Sequence, residues 1–224
     1  MSAEDVGLGG KRVGAGAAIG TPIISKERAA RTALRMIDDD GLAAFSIERL
    51  ARAIGVRGPS LYKHFRDRDD LLAAVARLVL LEVPAPRRRP GRTWDEQMLD
   101  LALALRRAVL VHPHAGPLLL QFLPRQLMIQ PYDSLVRSLR EAGIDERYHL
   151  LILEGLEKVT LGFALYHAAS RTWPGSGFPA FDGEEFPDLR GALDASPFDE
   201  DQLFVASCRA FLDGVRAMII ADRR

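Results

Sequence analysis

Apolar residues recur at three- and four-residue spacing along nearly all of this 224-residue chain, and no segment alternates convincingly with period two. Residues three and four apart share a helix face, whereas successive strand residues point to opposite sides of a sheet. The pattern therefore predicts an all-α fold. Ser25 can accept from a first-turn N–H, Ala30, Ala33, Leu34 and Ile37 follow on one face, and Gly41 stops this helix after about Asp40. Asp38, Asp39 and Asp40 stand at its negative end, where only solvation favours them. Ser46 caps a second helix ending at Gly55, with Phe45 and Leu50 at hydrophobic-staple spacing. Pro59 takes the first position of a third, where its missing N–H does no harm, and Asp67 caps a fourth, "DLLAAVARLVLLEV".

The segment "PAPRRRPGR" forbids a continuous helix and divides the chain. The expected organisation is a flexible arm at 1–22, a three-helix helix-turn-helix domain at 23–83, a linker at 84–92 and a larger helical domain at 93–224. In the second part a long helix runs from Trp94 to about His112, and Pro113 and Pro117 mark a break with a short irregular helix. Another helix runs from Tyr132 to Ala142 and is closed by Gly143. Asp145 caps the next, "ERYHLLILEGLEKVTLGFALYHAA", which is apolar nearly all round and so buried on most sides. Residues 171–198 read as a loop, and the last helix runs from Asp199 to about Ile220.

Net charge is zero, so the total points to no partner, but its distribution does. From Arg49 to Arg68 six bases face one acid; from Arg171 to Gln202 two bases face eight acids. One end can attract a polyanion and the other repels it. Cys208 is the single cysteine, which rules out an internal disulfide and suits a reducing cytoplasm. No apolar run approaches the roughly 20 residues that cross a bilayer. Lys11 and Arg12 precede "VGAGAAIG", too weakly apolar for a signal sequence. A cytoplasmic protein is expected.

The stretch "GVRGPSLYKHFRDRDDLL" joins two short helices through a tight glycine turn, the helix-turn-helix pattern. Leu61 and Phe65 stand four apart and face inward, leaving Pro59, Ser60, Lys63 and His64 outward near a helix N-terminus. A recognition helix presents such residues to base edges, and Tyr, Lys, His and Arg are good phosphate donors. A solvated helix with an ordinary charge run is the plainer alternative.

"FSIERLARAIGVRGPSLYKHFRDRDDLLAAV" resembles the DNA-binding domain of TetR-family transcriptional regulators, over about Ile24 to Leu81. "TW" at 93–94, "LVHPHAG" at 110–116 and "VTLGFALYH" at 159–167 resemble, more loosely, the second domain of the tetracycline repressor subgroup. The resemblance implies that Tyr62, Lys63, His64 and Arg68 hold phosphates or lie against them, that Pro59 and Ser60 face bases, and that Arg57 and Gly58 sit where the helix begins. Ile47 and Glu48 fall where that subgroup carries a Thr and a base-reading Arg. Glu48 departs from it: a carboxylate can accept from cytosine N4 but cannot read guanine O6 and N7, so the operator should differ.

The resemblance also implies that the second domain dimerises and binds a small inducer. The residues point the same way. Gly155 and Gly162 permit close helix approach, and Leu203, Phe204, Ala210, Phe211, Val215 and Met218 spread over more than one face of the last helix. Helices with two apolar faces need two neighbours, and a four-helix bundle across a two-fold axis supplies them. A monomeric core is the alternative. Where the subgroup holds a magnesium–drug complex with a histidine and polar neighbours, this chain has Leu119, Phe122, Leu123, Leu101 and Leu105. The implied pocket is apolar, with Tyr166 and Trp173 as polar-tipped aromatics, and suits a hydrophobic inducer with no metal or cofactor. That these leucines simply fill the core is equally open.

Other motifs carry less. "HPH" at 112–114 reads as incidental rather than as a metal site, and Cys208 as core rather than nucleophile. "GAGAAIG" lacks the strand that a nucleotide loop needs, and "RRR" at 87–89 reads as a solvated loop. No catalytic cluster is visible. The reading is a DNA-binding regulator, a homodimer released from a palindromic operator by a hydrophobic ligand. The rivals are a ligand-independent DNA binder and, from another class, a small helical enzyme using the second domain's cavity.

Overall fold

A computed structural model describes residues 25–86, 91–172 and 180–223. The readings of the N-terminal arm, of "GAGAAIG", of "RRR" and of Trp173 fall outside these residues. Among the described residues the chain is helical with no strand. Its helices are α1 (Lys26–Asp40), α2 (Ile47–Ile54), α3 (Gly58–Leu61), α4 (Arg68–Leu81), α5 (Trp94–Val111), α6 (Leu118–Gln121), α7 (Arg125–Glu141), α8 (His149–Thr172), α9 (Pro187–Ala195) and α10 (Glu200–Ala221).

Side-chain caps set several of these limits. Ser25 and Ser46 accept from the N–H of Arg28 and Arg49 at 3.1 and 3.2 Å, and Asp67 from that of Asp70 at 2.7 Å. At α10, Asp199 accepts from Gln202 N–H while the Gln202 side chain accepts from Asp199 N–H, a reciprocal pair that satisfies two orphan donors.

Two apolar cores hold the helices together. The first joins Ile37 of α1, Leu50 of α2, Leu61 of α3 and Leu71, Val75 and Val79 of α4 to Val109, Leu118, Leu119, Leu161 and Ala164. It thus draws on both sides of the proline-rich segment. The second gathers Met98, Leu139, Tyr148, Ile152, Leu156, Phe204, Cys208, Leu212 and Ile219 from α5, α7, α8, α10 and the 3-10 turn before α8. Helices α5 and α8 contribute to both cores and form the spine between them. Leu50, Val75 and Phe204 are fully buried, each worth about 1.5–3 kcal/mol relative to exposure.

Several limits differ from the sequence reading. Gly58, not Pro59, is the first residue of α3; Pro59 is second, and its N–H would be unpaired there too. Helix α3 has only four residues, because Phe65 N–H already turns back to Leu61 O and the α4 cap follows at Asp67. Helix α7 begins seven residues before Tyr132 and carries Pro131 inside it, since tertiary packing outweighs the proline signal. Asp145 caps a short 3-10 turn leading into α8 rather than α8 itself. The stretch read as a loop contains α9, which starts on Pro187 and carries an Arg190–Asp194 pair one turn apart.

Candidate nucleic-acid interface and ligand cavity

Gly55 makes the turn between α2 and α3. Its φ of 76° is the left-handed conformation that side chains disfavour, and it lets Val56 N–H reach back to Ala51 O at 2.9 Å. Leu61 and Phe65 are buried and pin the element that follows. On its outer side Arg57, Pro59, Tyr62 and Lys63 are exposed, while Gly58, Ser60 and His64 are half-buried. Tyr62, Lys63 and His64 lie in the turn after α3, not on the helix. Glu48 is exposed on the first turn of α2, whereas Ile47 packs against the first core.

The basic excess around this element is smaller than the sequence count. Arg49 is tied to Asp40 at 2.5 Å and to Ala44 O at 2.7 Å, and Arg66 pairs loosely with Asp70 at 3.9 Å. The Arg68 guanidinium stacks 5.9 Å from the Phe45 ring centroid. Arg52, Arg57 and Lys63 are exposed and enter no ion pair among the described residues.

The acids at the end of α1 have partners after all. Asp40 holds Arg49, and Asp38 accepts from His112 Nδ1 at 2.7 Å, while Glu82 accepts from Nε2 of the same ring at 2.9 Å. Both ring nitrogens must donate, so the ring is an imidazolium between two carboxylates. Its bond to Asp38, with help from Glu82 and against burial, raises the His112 pKa to about 9. Asp38 Oδ1 is buried without a hydrogen-bond partner, which makes the histidine its main compensation. The junction joins the ends of α1, α4 and α5. His114, two residues on, bonds Ile37 O at 3.2 Å. The "HPH" motif is therefore a structural clamp. Sequence reasoning missed it because its carboxylates lie 74 and 30 residues away.

Between α4, α5, α7 and α8 lies a cavity of about 440 Å³. Leu80, Leu81, Met98, Leu101, Leu105 and Leu153 give it an apolar lining, and Pro84 and Pro86 form one wall. Its polar side is built by Tyr132, whose hydroxyl donates to Glu157, and by Thr160. Burial, then Glu157, pushes the Tyr132 hydroxyl well above the ordinary phenol range. The structure brings Leu101 and Leu105 together here. Leu119 is buried in the first core, Phe122 packs against that core, and Tyr166 is exposed on the outer side of α8, so these three line no part of the cavity. Tyr132 and Glu157 escaped notice because only tertiary packing sets α7 against α8.

Deeper in the second core, Arg106 is buried, donates to Asp201 at 2.7 Å and His167 Nδ1 at 2.8 Å, and stacks 5.0 Å from the Phe204 ring centroid. Burial pushes the Cys208 thiol up to about 11 and leaves it an inert packing group. No cluster of three His, Cys, Asp or Glu suited to a metal occurs among the described residues.

Helices α8 and α10 also keep apolar faces turned outward. Leu151, Gly162 and Tyr166 lie on one exposed stripe of α8, and Leu203, Ala210, Gly214 and Met218 on α10.

Comparison with known proteins agrees with this arrangement. The sequence model for bacterial regulatory proteins of the tetR family matches residues 30–75. A crystal structure of a possible TetR family transcriptional regulator from Streptomyces coelicolor A3(2) is 30% identical, covers 87% of this chain and 100% of its own, and superposes with a TM-score of 0.74. The chain belongs to the TetR family. It is a transcriptional regulator of the helix-turn-helix DNA-binding type. The class D tetracycline repressor of Escherichia coli is similar at 26% identity over 205 residues, 88% of each chain. The TetR family protein ActR of Streptomyces coelicolor, solved in complex with actinorhodin, is 27% identical, covers 88% of this chain and 98% of its own, and has a TM-score of 0.71. Among the described residues of this family member no helix is long and apolar enough to cross a membrane.

Proposed function

We propose that this regulator is a cytoplasmic repressor, a homodimer released from a palindromic operator by a small hydrophobic ligand. Residues 23–83 form the DNA-binding unit and residues 93–224 the ligand-binding and dimerisation unit, joined at 84–92. Lys63, Tyr62, His64 and Arg68 hold phosphates, and Pro59, Ser60 and Glu48 face bases. The observation that carries the reading is the position of the cavity. Leu80, Leu81 and Val83 line it, and Glu82, between them, is bonded to His112, which also holds Asp38 of α1. Ligand wedged against the end of α4 therefore works on the clamp that fixes α1 and α4, the scaffold of α2 and α3.

The exposed apolar faces of α8 and α10 supply the dimer contact. Mechanistically this is a population shift: the ligand must bind the released state more tightly than the operator-bound state, and by linkage operator must weaken ligand binding by the same factor. The cavity lining has no histidine, which favours a ligand that needs no divalent metal. ActR with bound actinorhodin is a relative with a small-molecule ligand, and the cavity disfavours a ligand-independent DNA binder.

The experiment titrates hydrophobic compounds against a complex of the full chain with its selected operator, followed by fluorescence anisotropy with and without chelator. Release in the presence of chelator is expected. Release that requires magnesium would overturn the metal-free reading, and a complex that no compound disturbs would favour the ligand-independent one.

A further inference from the structure

The polar groups of the cavity are unequal. Tyr132 spends its only hydrogen on Glu157, and Thr160 spends its hydroxyl hydrogen on Leu156 O at 2.7 Å. What these side chains still offer is lone pairs: those of the Glu157 carboxylate, the phenol oxygen and the threonine oxygen. Gln130 brings the only remaining side-chain N–H donors of the lining, and that residue is exposed. Glu157 is also the only Asp, Glu, Lys, Arg or His of the lining, and it enters no ion pair among the described residues. Lys158, its neighbour, is turned to Glu154 at 2.7 Å. Arg125, which acts on Tyr132 from a distance, is exposed and lines no part of the cavity.

A wall dominated by acceptors, with one carboxylate that has no cationic partner among the described residues, favours one kind of guest in these apolar surroundings. A ligand carboxylate would meet like charge and find no side-chain donor but the exposed Gln130 amide. A ligand with donors satisfies the lone pairs, and a cationic one also compensates the half-buried charge. We propose that the cavity selects a hydrophobic cation, an apolar body bearing a protonated amine, and that Glu157 is the residue that determines this selectivity. Tyr132 is a positioning residue that holds the carboxylate on the cavity wall. The inference rests on the cavity being the ligand site of the regulator.

Three probes share one apolar body and differ in one group: biphenylbutylamine, biphenylbutanol and biphenylbutanoate. Their binding to the full chain is measured by calorimetry near neutral pH, and operator release is measured separately. The amine is expected to bind tighter than the carboxylate by about tenfold or more, with the alcohol between. Glu157→Gln, which keeps size and shape, should bring amine and carboxylate to within a few-fold of each other. Tyr132→Phe, which frees the carboxylate, should keep the order amine over carboxylate. Equal binding of the three, a preference for the carboxylate, a preference that survives Glu157→Gln, or no binding of any probe overturns the proposal. Amine-selective binding that leaves the operator complex intact keeps the selectivity and sinks the induction mechanism. Release by all three probes alike does the reverse.

Discussion

At the scale of single residues, side chains that carry charge outward must be separated from those that spend it inside. Lys63 is exposed without an ion pair, whereas Arg49, which looks equivalent in the sequence, is locked to Asp40. Lys63→Ala should weaken binding to every DNA sequence alike and lower the salt slope by about one unit per half-site. A changed sequence preference at unchanged salt dependence would count against a phosphate role. Glu48 is exposed on the first turn of α2, and Glu48→Arg replaces an acceptor with a bidentate guanine donor. Sites selected by the variant should shift at one symmetric position per half-site, with about 1–3 kcal/mol of discrimination. The same consensus for both proteins would mean that Glu48 reads no base. His112 makes a pH prediction. Its folded pKa, about 9, lies above the unfolded value of 6.5, so its stabilisation is complete below 6.5 and disappears as pH rises through 9. The shift corresponds to roughly 3 kcal/mol in favour of the charged clamp between Asp38 and Glu82. Thermal unfolding midpoints should fall between neutral pH and about 9 in the wild type and fall much less in His112→Gln. Parallel slopes would show that the clamp is not an imidazolium.

At the scale of elements, α8 shows how one helix serves two packings. A β-carbon at Gly155 would overlap the Phe211 ring of α10, whereas one at Gly162 meets nothing within 4 Å. Gly155→Ala should therefore destabilise the folded chain, by about 1–3 kcal/mol, by forcing that ring aside. Gly162→Leu should leave the fold intact and weaken self-association, because the outward stripe is where a second α8–α10 pair would lie. Denaturant midpoints read the first effect and sedimentation the second. A Gly162→Leu protein that remains a dimer with unchanged affinity would place the dimer contact elsewhere. Helix α4 likewise faces both ways: Leu71, Val75 and Val79 fill the first core while Leu80 and Leu81 line the cavity.

At the scale of the whole molecule, charge and symmetry act together. Bases gather at the helix-turn-helix end, and the segment from residue 180 to the start of α10 is exposed and rich in acids. The polyanion is thereby steered to one end. Leu150, Leu151, Tyr166, Leu203, Met218 and Ile220 stand exposed on α8 and α10, more apolar surface than scattered side chains account for. Sedimentation at micromolar concentration should give a dimer. A monomer that still binds palindromic DNA tightly would refute the two-fold arrangement.

The sequence by itself determined the all-α class, most helix limits and the helix-turn-helix. Those depend on signals a few residues apart: Ser25, Ser46 and Asp67 as caps, Gly55 with its positive φ, and Leu61 and Phe65 one turn apart. Only the tertiary structure decided what the acids of α1 do, because Asp38 meets His112 across 74 residues and loop closure leaves no local trace of such a pairing. It also separated Leu101 and Leu105, which face the cavity, from Leu119, which fills a core, although all three are leucines on apolar helices. The cavity's polar wall has the same origin. Tyr132 and Glu157 are unremarkable on their own helices, and their hydrogen bond on the cavity wall exists only because tertiary packing lays α7 against α8.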